Sequence, residues 1–468
     1  MTGITHYAAY IPPTRLPVGA RGNASPQPGG PEKAVAWNDE DAITLAVAAG
    51  RNCLRGIDAQ QVDGLIFAST SHPFQEKQAA ALIARALDLR RDVHSTDLGG
   101  SLRAGTTALR TAWDSVEAGS SRTVLVIASD CRMAAPGSAL EANLGDGAAA
   151  FLIGNQNVIA RIEGTHAISD EIVDVWRSTG DPFSHSWEDR FVIQEGYAPR
   201  TQEAVEGLLA KLGRSRSDYA RYVLYAPDKR SHTGLTRALG VQADQVQDPL
   251  FGRLGNTGAA FAPMQLVAAL EEAAGGDRIL VASYGDGAEA ISLEVTEQIR
   301  KTDPPRGISW HLARRRPVPS YQHYLDSRGL APHEWPGSDG PGLSATVHFR
   351  ERDDDISFRG QVCRKCDSIQ FPAQRVCETC FARDEFDPIR LADRVGRIVT
   401  YTLDFFFPTP DPPTVVSVVD IDGARVHIQV ADCPPEDVEI GMELEFSFRR
   451  IHEAGGRPNY FWKGVPLA

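Results

Sequence analysis

The sequence lacks any apolar run approaching the ~18 residues that cross a bilayer, and its first residues, Met1-Thr2-Gly3-Ile4, carry no charged segment followed by an apolar one. Both absences point to a cytoplasmic protein with no membrane partner. Positive charge is also short: 48 Lys and Arg stand against 61 Asp and Glu, a formal net charge of -13. A nucleic-acid partner is therefore not expected, because neutralising phosphates needs a field of basic side chains. The one basic cluster is Arg314-Arg315-Arg316, which suits either the phosphates of a ligand or a solvated linker. Cysteine is scarce and odd in number, 7 in 468 residues, which argues against a disulfide framework and for reduced thiols or metal ligation.

What is present is layered α/β patterning over the first 300 residues. Short apolar runs such as Val62–Ala68 and Thr123–Ala128 read as buried strands, and Glu76–Leu89 and Ala104–Ala118 carry helical apolar spacing. The region reads as duplicated. Val124–Ala128 leading to Gly145-Asp146-Gly147-Ala148 is echoed by Ile279–Ser283 leading to Gly285-Asp286-Gly287-Ala288, and Leu65–Ser69 by Val223–Pro227. The expected halves are 1–160 and 161–300. The two Gly-Asp-Gly segments read as tight turns between strands and not as phosphate loops, since neither carries the required Lys and Ser or Thr. Residues 301–350, rich in Pro and Gly as in Pro336–Gly342, are expected to form a connector with one short helix near Tyr321–Gly329.

Residues 351–392 carry Cys363-x-x-Cys366 and Cys377-x-x-Cys380, two pairs ten residues apart, the spacing that sets four thiolates around one zinc. Four thiolates close the coordination sphere, so the metal is expected to be structural. Residues 393–468 then read as short strands, among them Ile398–Leu403, Thr414–Ile421, Val426–Val430 and Met442–Phe448, with a hairpin at Asp422-Gly423. About five such strands closing on themselves suggest an OB-type barrel.

In its order of elements this module resembles the rubredoxin-like zinc ribbon plus OB-fold proteins that accompany thiolases and help bind CoA esters. The first 295 residues resemble condensing enzymes of the thiolase superfamily, closest to the hydroxymethylglutaryl-CoA synthase branch and more distantly to type-three ketoacyl synthases. The motifs are Gly3–Pro12, Asp39-Glu40-Asp41 before a long helix, Asp97–Leu109, Pro136–Glu141 and Leu254-Gly255-Asn256-Thr257-Gly258. The resemblance implies a duplicated five-layer fold, an acyl-CoA substrate, and a homodimer sharing the sheet at Thr123–Ser129. It also implies a cysteine at a helix start that takes up the acyl group. Here that position is Leu102, between Ser101 and Arg103; the family histidine falls on Tyr225 and the family glutamate near Thr70, while Asn256 remains.

Leucine has no nucleophilic atom, so a cysteine acyl-enzyme is not expected. The remaining polar groups suit aldol or retro-aldol chemistry on a CoA thioester, which needs a donor to an enolate oxygen and a group that moves the β-hydroxyl proton. Tyr225 is the leading acid/base candidate. Asn256, in a Gly-rich loop, is the candidate oxyanion donor, with Asp228, His232 and His72 nearby in sequence. Ser101 is the candidate for a non-cysteine nucleophile, against its reading as a helix N-cap; Cys131 reads as a small buried hydrophobe. Phe183, Trp187 and Phe191, with His232, are the candidate substrate-binding residues. Two alternatives stay open: a non-catalytic acyl-CoA-binding or channelling subunit that partners a thiolase or another acyl-CoA enzyme, and a synthase-like acyltransferase with a non-cysteine nucleophile.

Overall fold

The computed structural model describes residues 1–18, 29–302, 304–331, 344–407 and 409–467. The proline- and glycine-rich stretch Pro336–Gly342 lies outside the described residues. The chain divides into two compact units, one of 1–37, 41–84 and 89–324, the other of 38–40, 85–88 and 325–468.

The first unit is built on one nine-stranded sheet among the described residues. Its elements in chain order are β1 (Gly3–Tyr10), α1 (Ala42–Cys53), β2 (Gly64–Ala68), β3 (His94–Leu98), α2 (Ala104–Glu117), β4 (Val124–Asp130), β5 (Gly147–Gly154) and β6 (Ala160–Ser169). They continue with α3 (Ala198–Leu212), β7 (Arg221–Leu224), α4 (Lys229–Leu239), α5 (Phe261–Glu272), β8 (Arg278–Tyr284) and β9 (Gly287–Val295). From the middle outward one half of the sheet runs β1, β5, β4, β2, β3 and the other β6, β9, β8, β7. Beyond β7, Val246 bridges Tyr222 in parallel, just as β3 pairs in parallel with β2. The corresponding pairs β4–β2 and β8–β7 are parallel, and the next sheet strands in sequence after β4 and β8, β5 and β9, pair with them antiparallel. The duplication read from the sequence is thus a duplication of topology and strand direction.

Why the layers stack as they do follows from side-chain patterning. β4 and β5 are buried at every position, because both faces are covered, which is why they read as unbroken apolar runs and not as alternation. α5 is apolar nearly all round, and all of Phe261–Leu270 is buried. It touches β7 and β8 of one half and β5 of the other; α2 touches β2, β4 and β5, and also β9. With α1 outside on β1, β4 and β5, and α3 outside on β6, β8 and β9, this is the five-layer arrangement.

Three expectations change. Strand β4 is hydrogen-bonded on both sides within its own chain, so Thr123–Ser129 cannot be the strand shared across a dimer. Among the described residues the edge strands of the sheet are β3, with no strand beyond it, and β7, which Val246 bridges at Tyr222. Gly145–Gly147 is not a turn between strands: it follows a short helix, Ala139–Asn143, and the Gly145 N–H donates to Asn256 O at 3.0 Å. A Cβ on Gly145 would stand 2.0 Å from Leu254 O, so close approach of two backbones is what requires glycine there. The helix expected over Glu76–Leu89 is Ala79–Ala86, its first N–H groups capped at 2.6 and 2.7 Å by Asp97 at the end of β3.

In the second unit, β10 (Arg359–Cys363), β11 (Ile369–Gln370) and β12 (Phe386–Arg390) form a small sheet, and β13 (Gly396–Asp404), β14 (Thr414–Ile421), β15 (Ala424–Val430), β16 (Glu443–Ala454) and β17 (Arg457–Pro466) close into a barrel. Leu444, Phe446 and Phe448 point into it, as the period of two predicts. Asp422 and Gly423, both at positive φ, make the two-residue hairpin. Arg449 breaks the alternation. It is 1% exposed and pairs with Asp39, Glu40 and Asp432, which this unit includes. Burial pushes the Asp39 carboxyl up, but Lys463 and Arg449 more than reverse this and hold it at about 2.

Candidate active site

Where parallel strands end at their carboxyl ends, side chains project from the sheet. In the first unit the residues there are Ser69–Ser71 after β2, Asp130–Arg132 at the end of β4, Tyr225 after β7 and Tyr284 ending β8. The strand order of both halves brings them towards the starts of α2 and α5.

Tyr225 is 3% exposed, its ring edge-on to Phe261 and Tyr197. The Asn256 amide donates to its hydroxyl oxygen at 3.3 Å, and among the described residues its own hydroxyl hydrogen finds no acceptor. Burial raises the phenol above its ordinary value, with Arg132 and Asn256 pulling the other way. At neutral pH it is a proton donor, not a base.

Asn256 is held on all sides. Its second amide hydrogen goes to Ala226 O at 2.9 Å, and its Oδ1 accepts from Arg132 Nη2 at 3.0 Å and from the Gly258 N–H at 2.9 Å. With both hydrogens taken, the amide orients Tyr225 and is not free to donate to an oxyanion.

Behind it Asp130, fully buried, accepts from Ser69 Oγ, Thr70 N, Thr70 Oγ1, Ser71 Oγ and the Ala259 N–H, all within 3.0 Å. Thr70 is therefore fixed by this carboxylate. A side wall is formed by Tyr197, whose hydroxyl donates to Tyr225 O at 2.8 Å, and by Tyr284, whose ring packs edge-on to Tyr197 at 5.6 Å. Burial raises the Asp174 carboxyl, which also feels Asp286 and Tyr284.

The remaining candidates occupy other roles. Leu102 is buried in the turn before α2, and Ser101 Oγ donates to Gly285 O at 2.9 Å. Asp228 caps α4 through the Ser231 N–H and hydroxyl, both at 2.8 Å. His232 is buried with Nε2 unpartnered among the described residues, and burial pushes it down to about 4. His72 tilts against Phe67 at 6.1 Å, and the Cys131 N–H donates to Ser71 Oγ. Phe183 is half-buried, whereas Trp187 and Phe191 are 56% and 55% exposed and form no closed apolar wall. Of the basic run, Arg314 stacks on Trp310 at 3.6 Å, Arg315 pairs with Glu32 at 3.0 Å and Arg316 lies over Trp37. Sequence reasoning missed Arg132, Asp130, Tyr197 and Tyr284. The available signal was position: each of the first two and the last lies at a strand's carboxyl end, as Tyr225 does.

In the second unit the Sγ atoms of Cys363, Cys366, Cys377 and Cys380 all lie within 4.8 Å of one another, with Cys363–Cys380 and Cys366–Cys377 at 3.6 Å. Zinc–sulfur bonds of about 2.3 Å in a tetrahedron require sulfur separations of about 3.8 Å, so the four thiols fit the ion.

Comparison with known proteins now bears on this geometry. The hydroxymethylglutaryl-CoA synthase of Methanocaldococcus jannaschii is 34% identical over 329 residues, covering 67% of this chain and 95% of the relative. The chain belongs to the hydroxymethylglutaryl-CoA synthase family. The Pyrococcus furiosus synthase is 32% identical over 337 residues, covering 70% of this chain and 95% of its own. Residues 209–295 match the C-terminal region of 3-oxoacyl-[acyl-carrier-protein] synthase III, residues 350–387 the ChsH2 rubredoxin-like zinc ribbon domain, and residues 390–449 the ChsH2 C-terminal OB-fold domain. Among solved structures, an HMG-CoA synthase complexed with CoA superposes with a TM-score of 0.65 at 20% identity, covering 73% of this chain and 92% of that one. The 3-oxoacyl-[acyl-carrier-protein] synthase III of Aquifex aeolicus gives 0.57 at 19%, covering 63% and 100%. This member of the hydroxymethylglutaryl-CoA synthase family thus carries a zinc ribbon and an OB-fold in addition to the family domain. No helix among its described residues is long and apolar enough to cross a membrane.

Proposed function

We propose that this chain makes or breaks carbon–carbon bonds by aldol or retro-aldol chemistry on a CoA thioester, without a cysteine acyl-enzyme. The observation that carries this is the Tyr225 phenol: buried, held at its oxygen by Asn256, with its own proton uncommitted. In the aldol direction the Asp174 carboxylate takes a proton from the α-carbon of the thioester, and the α-carbon attacks a carbonyl carbon. The carbonyl oxygen takes the phenol's proton as the new hydroxyl, and Asp174 returns its proton to the phenolate. Cleavage runs the same transfers backwards: Asp174 takes the phenol's proton, the phenolate takes the β-hydroxyl proton as the bond between the α- and β-carbons breaks, and the α-carbon recovers a proton from Asp174. A donor placed at the oxygen that gains charge contributes roughly 10²–10⁴-fold. Asn256 acts through Tyr225 by fixing its hydroxyl. The raised Asp174 carboxyl is the nearby group suited to take up a proton. The CoA ester as substrate is supported by the relatives' names and by the CoA complex of a fold neighbour.

A nucleophile at Ser101 is disfavoured, since its proton is held by a backbone carbonyl and no base is hydrogen-bonded to it among the described residues. The channelling reading draws support from Thr70, near which the resemblance puts the family's glutamate: its hydroxyl is spent on Asp130. Tyr225→Phe separates these readings. If the enzyme reading holds, turnover of a panel of 3-hydroxyacyl-CoAs falls about a hundredfold or more while CoA-ester binding persists. Tight binding with no turnover by the natural protein would favour the channelling subunit instead.

We also propose that Cys363, Cys366, Cys377 and Cys380 hold one structural zinc, and that the protein is a homodimer whose sheets join at the free edge β3. That edge strand is the least sealed of its half.

A further inference from the structure

Arginines buried in a protein interior need a partner, because a charged N–H group sealed from water without an acceptor is destabilising. Two of the buried arginines of this chain have one. Arg15 pairs with Glu32 at 3.8 Å, and Arg449 pairs with Asp39, Glu40 and Asp432. Arg132 is 8% exposed and makes no ion pair among the described residues. Its one hydrogen bond there goes to Asn256 Oδ1 at 3.0 Å, and its Nε is sealed from solvent with no acceptor.

Asp130 lies near enough to balance the charge but takes none of the guanidinium's hydrogens. Its Oδ2 and Arg132 Nε flank Gly258, 2.3 and 2.9 Å from where a Cβ would stand, yet they do not pair, and both carboxylate oxygens already accept from Ser69, Thr70, Ser71 and Ala259. Arg132 also shares the Asn256 amide with Tyr225, at 3.0 Å on the oxygen side and 3.3 Å on the nitrogen side. A ligand on the guanidinium therefore lies one side chain away from the phenol.

We propose that Arg132 binds a carboxylate of the substrate, so that this site takes either CoA esters with an acid group on the acyl chain or a free oxo acid beside the CoA ester. This rests on the reading of the Tyr225 site as the place where the thioester reacts. A guanidinium offers a planar fork that matches a carboxylate. The phosphates of CoA are at the other end of the pantetheine arm and do not reach a residue beside the reacting carbonyl. A transient enolate leaves the guanidinium's hydrogens without an acceptor in the resting complex.

The test is equilibrium binding by calorimetry to the full chain, comparing succinyl-CoA with butyryl-CoA and glutaryl-CoA with pentanoyl-CoA. These pairs share the CoA phosphates and differ in the terminal acid. The expected result is a preference for the acid of about tenfold or more, reduced to nearly none in Arg132→Gln and partly kept in Arg132→Lys. If the pairs bind equally, acetoacetate titrated in the presence of acetyl-CoA distinguishes the second source: Arg132-dependent binding of the free acid upholds the proposal. No charge preference in either arm overturns it, and the wild-type comparison decides this even if a variant fails to fold. Because binding needs no turnover, a charge preference in a protein without activity would leave the carboxylate site standing while the aldol reading fell. Turnover dependent on Tyr225 without any charge preference would do the reverse.

Discussion

Tyr225 and Arg132 flank one amide, and the burial that makes both useful is also what hides them in a sequence. Tyr225 was legible because the motif around it, Tyr-Ala-Pro-Asp, still resembles one that holds a histidine. Arg132 follows Cys131 with no spacing or repeat to single it out, and only the fold shows that its charge is left inside. Asn256 was legible as a site residue, but not its saturation by four hydrogen bonds, which depends on a loop register that no local pattern encodes. His232 yields a prediction at this scale. Burial holds its imidazole at about 4 in the folded chain, against an ordinary ~6.5 when unfolded. The unfolded state therefore binds the proton first, and stability is complete above pH ~6.5 and declines as pH falls toward 4, by up to on the order of 3 kcal/mol. Denaturant melts of wild type and His232→Phe across this range should show the decline flattened in the variant.

Among elements, the loop between Leu254 and α5 sets the site. Gly258 has φ of +60° and would drive a Cβ into the Asp130 carboxylate and the Arg132 guanidinium. Gly258→Ala is expected to cost roughly 1–3 kcal/mol from backbone strain and displaced polar groups, lowering Tm by several degrees. Calorimetry checks the stability, and activity should fall with it because Asn256 shares the loop. The strands of the duplicated halves were legible because sheets covered on both faces demand unbroken apolar runs, and α5 because it is apolar on every side. Barrel strand β17 was not singled out: Arg457-Pro458-Asn459 opens it with a charge, a proline and an amide, and its aromatic face appears only from Tyr460 and Trp462. The edge position of β3 was illegible for a different reason, since which strand lacks a neighbour is a property of the whole sheet and not of its own residues.

At the scale of the whole molecule, cysteine spacing made the zinc ribbon legible, because a zinc ribbon is written in its ligands. Removing zinc with a chelator, or replacing Cys377 by Ser, should release one zinc per chain by metal analysis and unfold the ribbon, since binding energy of a closed four-sulfur site is folding energy. Light scattering should give a dimer, and a charged substitution on β3, Ser95→Lys, should shift it towards monomer. The central claim is chemistry at Tyr225 without an acyl-enzyme, and one experiment meets it most directly. Wild type and Tyr225→Phe are incubated with a panel of 3-hydroxyacyl-CoAs and with acyl-CoA plus ketone or aldehyde pairs, turnover is followed, and the same samples are weighed intact by mass spectrometry. The account predicts turnover by wild type with no acyl adduct on the protein, reduced about a hundredfold or more in Tyr225→Phe. An acyl adduct that forms and decays at the rate of turnover, or full activity without the hydroxyl, would contradict it.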